Sequence, residues 1–124
     1  MVIPVKSPMD GSNIQLNALP INTQIGTTYT LALTDAPATS AHQGIVEMNN
    51  SAANTLTVPP NSSVSFSVGT CIMVTQYGTG QTTIAPGSGV TLVKASSLTT
   101  RAQYSVLTLY YRGSDVWVVG GDMT

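Results

Sequence analysis

The sequence predicts an all-β protein, and three features of the chain favour that class. Short stretches such as Thr55–Val58 alternate polar and apolar residues with a period of two, the pattern of strands with one buried face. Turn-forming clusters of Gly, Pro, Asn, Asp and Ser separate these stretches at intervals of about 8–12 residues. No window sustains the periodicity of an amphipathic helix. We therefore expect one β-sandwich or barrel-like domain of about eight or nine short antiparallel strands, with little helix.

The alternation places the expected strands along the chain in a regular series. They are expected at Tyr29–Leu33, Gly44–Met48, Thr55–Val58, Val64–Val68, Cys71–Val74, Thr82–Ala85, Val90–Leu92, Gln103–Arg112 and Val116–Val119. Pro59 and Pro60 end one of them because proline has no N–H for a ladder. The sequence Tyr77–Gln81 is typical of a hairpin turn. The Arg112–Asp115 turn and its flanking strands form the strongest predicted hairpin.

Residues 1–27 are expected to form an extended N-terminal arm, and residues 28–124 the β-domain. Prolines and a turn cluster interrupt any long periodic pattern in the first segment. Apolar residues nevertheless recur there, and a pure linker would not need them. We expect these residues to contact a neighbouring subunit of an assembly: Val2, Ile3, Val5, Ile14, Leu16, Leu19 and Ile21. A first strand packed on the chain's own domain explains the same residues and stays open.

The last two strands carry apolar or aromatic residues on both faces, which indicates that both faces are covered. One face is expected to pack on the core, and the other to contact another subunit, since tyrosine offers apolar area and a hydroxyl group. The subunit-contact candidates are Tyr104, Tyr110, Tyr111 and Trp117. Half-exposed tyrosines on a monomer are the alternative. Exposed aromatic rings could also bind sugars, although the alternation of Trp117 with Val116 and Val118 favours packing.

Composition indicates a protein that works within an assembly. Charged residues make up only 7% of the chain, whereas an ordinary soluble domain has about 25%. Serine and threonine account for 31 of the 124 residues. Such an uncharged hydroxyl surface is typical of a protein that is covered by partners or exposed outside a cell. The net charge of −1 and the scattered basic residues argue against nucleic-acid binding. The N-terminus lacks the apolar region of a secretion signal, and no apolar run reaches the length of a membrane span.

No motif in the sequence predicts catalysis, a cofactor or a metal site. His42 is the only histidine and Cys71 the only cysteine, so neither a disulfide nor a usual zinc site can form within the chain. A nucleophile pair of these two residues would need an acidic orienting group, and none stands out. Cys71 is expected to be a buried apolar residue of an interior strand. The carboxylates fall mostly in turns, where they cap backbone N–H groups. We therefore expect a non-enzymatic protein.

Three stretches of the sequence resemble a small β-domain of tailed-bacteriophage virion proteins. They are LTVPPNSSVSFSVGT, QYGTGQTTIAPGSGVTL and TRAQYSVLTLYYRGSDVWVVGGDM. The domain occurs at the C-terminus of tail-fibre and head proteins and as free-standing capsid decoration proteins. The resemblance covers residues 22–122 and implies a virion structural protein made in the host cytoplasm.

The short chain, with no fibre shaft attached, favours a capsid decoration (cement) protein over a tail fibre. The resemblance then implies a homotrimer on the capsid exterior, with the major capsid protein as partner. A tail-fibre, tail-tip or head-spike component is the alternative in the same context. A glycan- or host-surface-binding β-module is the alternative from another class.

Overall fold

The fold is described from a computed structural model, which covers residues 21–36 and 44–124. Those ranges contain nine strands and one turn of 3-10 helix, Leu33–Asp35, so the all-β prediction is confirmed for the described chain. The strands are β1 (Ile21–Gln24), β2 (Thr28–Thr30), β3 (Gly44–Met48), β4 (Asn54–Val58), β5 (Cys71–Gln76), β6 (Thr82–Pro86), β7 (Thr91–Lys94), β8 (Val106–Gly113) and β9 (Val116–Gly121).

The strands from β1 to β7 alternate between two sheets, and β8 and β9 stay in the larger one. The larger sheet has the order β1-β3-β5-β8-β9-β7, and the smaller sheet has the order β2-β4-β6. Ile21 lies beside Ile45 and then Met73 in the larger sheet, and Thr28 lies beside Thr55 and then Thr83 in the smaller one. The chain therefore winds through three stacked coils in a β-solenoid-like arrangement.

The predicted antiparallel pairing is wrong for most of the described strand pairs. Five pairs are parallel, namely β1–β3, β3–β5, β2–β4, β4–β6 and β7–β9. Only β5–β8 and β8–β9 are antiparallel. The physical reason is that each connection from β1 to β7 crosses from one sheet to the other, so consecutive strands in that part of the chain do not pair. A strand then meets the equivalent strand of the next coil, which runs in the same direction.

The sequence Tyr77–Gln81 is a corner between the sheets, which corrects the hairpin prediction. It connects β5 to β6, and these strands lie in different sheets. Gly78 and Gly80 stack on the corner of the coil before, where the Gly80 N–H donates to the Asn50 carbonyl at 2.9 Å. A Cβ on Gly80 would lie 2.0 Å from the Ala52 carbonyl oxygen. Glycine is therefore required by stacking between coils, and not by a tight hairpin.

The expected strand at Val64–Val68 is also wrong. Residues 61–64 form turns, in which the Ser63 and Val64 N–H groups donate to the Pro60 carbonyl at 2.9 and 3.1 Å. Phe66 is buried, whereas Val68 is 71% exposed. Phe66 lies in a loop and packs into the core, while its serine neighbours point to solvent. This loop therefore shows the same alternation of polar and apolar residues as a strand.

The hairpin between β8 and β9 is confirmed. Ser114 and Asp115 have φ values of 55° and 58°, as a two-residue turn of the hairpin type requires. The turn returns the chain antiparallel, with Trp117 beside Tyr111 and Val119 beside Leu109. The Asp115 carboxylate accepts a hydrogen bond from the Asn61 N–H at 2.7 Å and ties the turn to the preceding loop.

The two sheets share one apolar core. β3, β5, β8 and β9 bury every second residue, which is the period-two pattern predicted from the sequence. The largest buried side chains come from both sheets and include Trp117, Leu31, Met48, Leu56, Ile72, Ile84, Leu107 and Leu109. The inward face of the six-stranded sheet is therefore covered by the smaller sheet and its loops.

The predicted boundary of the N-terminal arm does not coincide with the edge of the sheet. Residues 21–24, assigned to the arm from the sequence, form β1 and pair with β3. Ile21 thus lies in the outermost described strand of the larger sheet. The other predicted arm contacts, Val2, Ile3, Val5, Ile14, Leu16 and Leu19, lie outside the described residues, and their contact role stays a prediction.

Candidate interaction surface

The outward side chains of the six-stranded sheet form a broad surface, here named the outer face. They are assigned to it by alternation with the buried residues of each strand. The outer face consists of Ile21, Thr23, Ile45, Glu47, Cys71, Met73, Thr75, Thr91, Val93, Val106, Thr108, Tyr110, Arg112, Val116 and Val118. It crosses every strand of the larger sheet.

Strand register arranges these side chains in rows across the sheet. One row runs Ile21, Ile45, Met73, Thr108, and the next runs Cys71, Tyr110, Val118, Val93. Neighbouring side chains in a row belong to adjacent strands, about 4.8 Å apart, so they contact one another. The apolar residues of the outer face therefore form a continuous band.

The outer face is exposed, and almost all of it is uncharged. Ile21 is 58% exposed, Val93 47%, Tyr110 43% and Val106 39%. Glu47 and Arg112 are its only charged members among the described residues. An outward sheet face in water usually carries polar residues, and a large exposed apolar patch marks an interaction site. We identify the outer face as the candidate functional surface.

Two tyrosines extend the outer face at one end. Tyr77 follows β5 and Tyr104 precedes β8, with their ring centroids 5.6 Å apart in an edge-to-face arrangement. They are 45% and 62% exposed. Tyr77 is not among the contact residues that the sequence predicts. Its position directly after the buried Gln76, in phase with the outward residues of β5, is the signal that could have found it.

The four predicted subunit-contact residues are divided between the surface and the core. Tyr104 and Tyr110 are exposed, and Tyr110 is part of the outer face. Tyr111 and Trp117 are 5% and 1% exposed. The Trp117 ring packs against Phe66 at 5.3 Å and Tyr111 at 5.1 Å between centroids. The side chains of Tyr111 and Trp117 are buried within one chain and offer no surface to a second subunit. A subunit contact near this strand pair therefore depends on Tyr104 and Tyr110.

A hydrogen-bonded cluster of Tyr29, Asp35 and Asn22 lies at the start of the described chain. The Tyr29 hydroxyl donates to Asp35 Oδ2 at 2.6 Å, and Asn22 Nδ2 donates to Asp35 Oδ1 at 2.8 Å. The Ala32 N–H also donates to Asp35 Oδ2, at 2.8 Å. Asp35 is only 5% exposed, and these donors satisfy its carboxylate. The cluster therefore stabilises the turn after β2.

The ionisation of Tyr29 gives a test of this cluster. Burial, followed by the hydrogen bond and the charge of Asp35, raises the pKa of Tyr29 from 10.0 to about 12. Because the folded-state pKa is the higher one, this stabilisation is complete below pH 10.0 and is lost as the pH rises through about 12. We expect Tyr29→Phe to flatten the alkaline loss of stability and to remove the absorbance titration step near pH 12. Tyr110→Phe is the control, and a late step that persists in Tyr29→Phe contradicts the assignment.

A second polar network is buried where the corners of the coils stack. The Thr82 hydroxyl donates to Asn54 Oδ1 at 2.6 Å, and the Thr100 hydroxyl donates to Gln76 Oε1. The amide of Asn54 donates to the Ala52 carbonyl at 3.0 Å. Within the described ranges, no buried side-chain nitrogen or oxygen lacks a hydrogen-bond partner. This network therefore fixes the corners of the coils.

Two reactive side chains of the described residues, Cys71 and Asp122, lie in different environments. Cys71 is half-buried on the outer face, and burial raises the pKa of its thiol, which disfavours the nucleophilic thiolate. His42 lies outside the described residues. The Arg101 guanidinium is 2.7 Å from the Asp122 carboxylate. Hydrogen bonds from Arg101 and then Ser105 hold the pKa of Asp122 below its usual range. Asp122 is therefore an ion-pair residue at the end of β9.

Residues 21–36 and 44–124 contain no group of three or more His, Cys, Asp or Glu side chains that could hold a metal ion. In the same ranges, no helix has the length and apolar character needed to cross a membrane. No protein-family model and no curated protein sequence matches the chain. The described residues form a β-solenoid-like domain with an exposed, largely apolar sheet face.

Proposed function

We propose that this chain is a non-enzymatic virion structural protein of a tailed bacteriophage, and specifically a capsid decoration (cement) protein. In this role it bridges and stabilises major capsid subunits on the capsid exterior, after synthesis in the host cytoplasm. The sequence resemblance to phage virion β-domains supports the virion context. The outer face is the observation that carries the structural role, because an apolar and nearly uncharged sheet face needs a protein cover.

The proposed mechanism is mechanical. The β-domain associates with further copies, as a homotrimer in our proposal, and the N-terminal residues contact the capsid. Apolar area that is buried in each contact contributes about 25 cal/mol per Å². When one copy of a trimer is bound, the other two copies are held close to their own capsid sites. This high effective concentration makes the overall binding strong, although each contact is weak. A trimer could therefore hold adjacent capsid subunits against internal pressure, although each single contact is weak.

The experiment uses the full-length chain and undecorated capsids assembled from the major capsid protein of the same virus. We expect the chain to co-sediment with these capsids at a saturable stoichiometry. Replacing Leu16 and Leu19 with serine is expected to weaken capsid binding by at least about tenfold, because two apolar anchors are lost. The melting temperature of the β-domain should stay unchanged.

The matched control replaces Val68 with serine, since this side chain is 71% exposed and belongs to neither the outer face nor the N-terminal segment. Its capsid binding should equal that of the unmodified chain. A chain that does not bind these capsids at all would contradict the decoration role and favour a tail-fibre, tail-tip or head-spike component. Full binding by the Leu16 and Leu19 variant would contradict the role of the N-terminal residues.

The exposed Tyr77–Tyr104 pair supports a second candidate, a glycan- or host-surface-binding module. Aromatic rings that are open to solvent can stack on the apolar faces of sugars. Trp117 cannot serve in this way, because it is 1% exposed. A glycan array separates the candidates: specific binding that is lost in Tyr104→Ala supports the module, and no binding leaves the structural role as the proposal.

A further inference from the structure

We infer that the outer face docks onto the outer face of a second copy of this chain, with Glu47 of one copy beside Arg112 of the other. The inference goes beyond the proposed function: docking of two identical faces is a two-fold contact that closes a dimer, so it is separate from the three-fold association proposed above. It does not depend on capsid binding, so the two can be tested separately.

The centre of the outer face is suited to a dry contact. Met73 and Cys71 of β5 are flanked by Ile45 on one side and Tyr110 on the other. None of these residues is charged, and each is at least partly accessible in the single chain. The core of a stable protein interface has this composition, with charged residues depleted and aromatic residues and methionine enriched.

The two charges of the outer face lie at opposite ends of it. Glu47 is on β3, in register with Thr75 and through it with Val106 at the start of β8. Arg112 lies near the other end of β8. Two strand spacings of about 4.8 Å and six residues of about 3.4 Å place them about 22 Å apart. Glu47 and Arg112 are therefore too distant to pair within one chain, and no ion pair of the described residues includes either of them.

This charge arrangement favours a second copy over an unrelated partner. A face with one negative charge at one end and one positive charge at the other is complementary to itself when the two copies run in opposite directions. Glu47 of each copy then pairs with Arg112 of the other. The apolar centre of one outer face packs on the apolar centre of the other. A partner of one charge sign would leave either Glu47 or Arg112 without a counter-charge, which costs binding energy at an interface.

The size of the outer face is sufficient for such a contact. Six strands of about 4.8 Å spacing and about five residues of about 3.3 Å give a projected area of about 480 Å² per copy. Two copies together remove about 1,000 Å² from solvent, which is the least that a specific interface needs. We therefore expect the face-to-face association to be weak and reversible.

The test is native mass spectrometry and sedimentation of the full-length chain with charge reversals. The unmodified chain should associate. Glu47→Arg and Arg112→Glu should each weaken association by about 100-fold, because like charges then meet across the contact. The double variant Glu47→Arg/Arg112→Glu should recover the association, because the pair is restored with reversed sign. Lys94→Glu is the matched control, since Lys94 is exposed on the edge strand β7 outside the outer face.

The outcomes separate the inference from the proposed function. A monomeric unmodified chain, single variants that associate normally, or a double variant that does not recover would each overturn the inference. Unchanged melting temperatures of the variants exclude unfolding as the cause. Capsid binding without association through the outer face would leave the decoration role standing. Association that follows the charge pattern without capsid binding would contradict the decoration role and leave the inference standing.

Discussion

Replacing Trp117 with alanine is expected to lower the free energy of unfolding by about 3–5 kcal/mol, the range for a large aromatic side chain removed from a core. The Trp117 side chain is 1% exposed and packs against both Phe66 and Tyr111. Its loss leaves a cavity, because strands on both sides of it are fixed by ladder hydrogen bonds and cannot close the space. Urea denaturation, measured at a protein concentration at which the chain is monomeric, gives the difference.

Tyr110→Ala is the control for Trp117→Ala. Tyr110 lies on the same hairpin, in register with Val118, but its side chain is 43% exposed. We expect this change to cost about 1 kcal/mol or less, as is usual for surface substitutions. Equal losses in the two variants would mean that Trp117 is not a core residue, and the inward direction of β9 would then be wrong.

Replacing Gly80 with alanine is expected to destabilise the fold by about 3 kcal/mol or more, at the upper end of overpacking effects. The added Cβ would lie 2.0 Å from the Ala52 carbonyl oxygen and 2.8 Å from that of Asn50. Both contacts are with the backbone of the neighbouring coil, so no flexible side chain can move aside. The coils would have to separate, and the hydrogen bond from the Gly80 N–H to Asn50 would be strained.

Gly120→Ala is the matched control, measured by the same denaturation. A Cβ on Gly120 meets no heavy atom within 4 Å, and glycine in a strand costs about 0.5–1 kcal/mol relative to alanine. This variant should therefore be as stable as the unmodified chain or slightly more so. A Gly80→Ala variant of normal stability would show that the corners of the coils are not stacked, and would contradict the solenoid-like winding.

The candidate surface was only partly accessible to sequence reasoning. The sequence predicts that both faces of the β8–β9 pair are covered, and it selects Tyr110. It cannot tell which phase of the alternation faces the core, because the period-two pattern is the same for both faces. Tyr111 and Trp117 were therefore selected with Tyr110, although they point inward. Ile21, Ile45 and Met73 become neighbours only through strand register, which joins residues that are distant along the chain.

The sequence by itself determined where most strands lie, because alternation and turn chemistry act between residues that are close along the chain. Local patterns predict the strand Gly44–Met48, the strand that begins at Cys71 and the β8–β9 hairpin. Tertiary structure alone decided how the strands pair, since a short connection with glycines serves equally well as a hairpin turn or as a corner between two sheets. At residues 77–81 the choice depends on stacking against Asn50 and Ala52, a contact with another coil. The parallel strand order depends on such contacts between coils and not on any local sequence pattern. The continuous outer face is a consequence of that order.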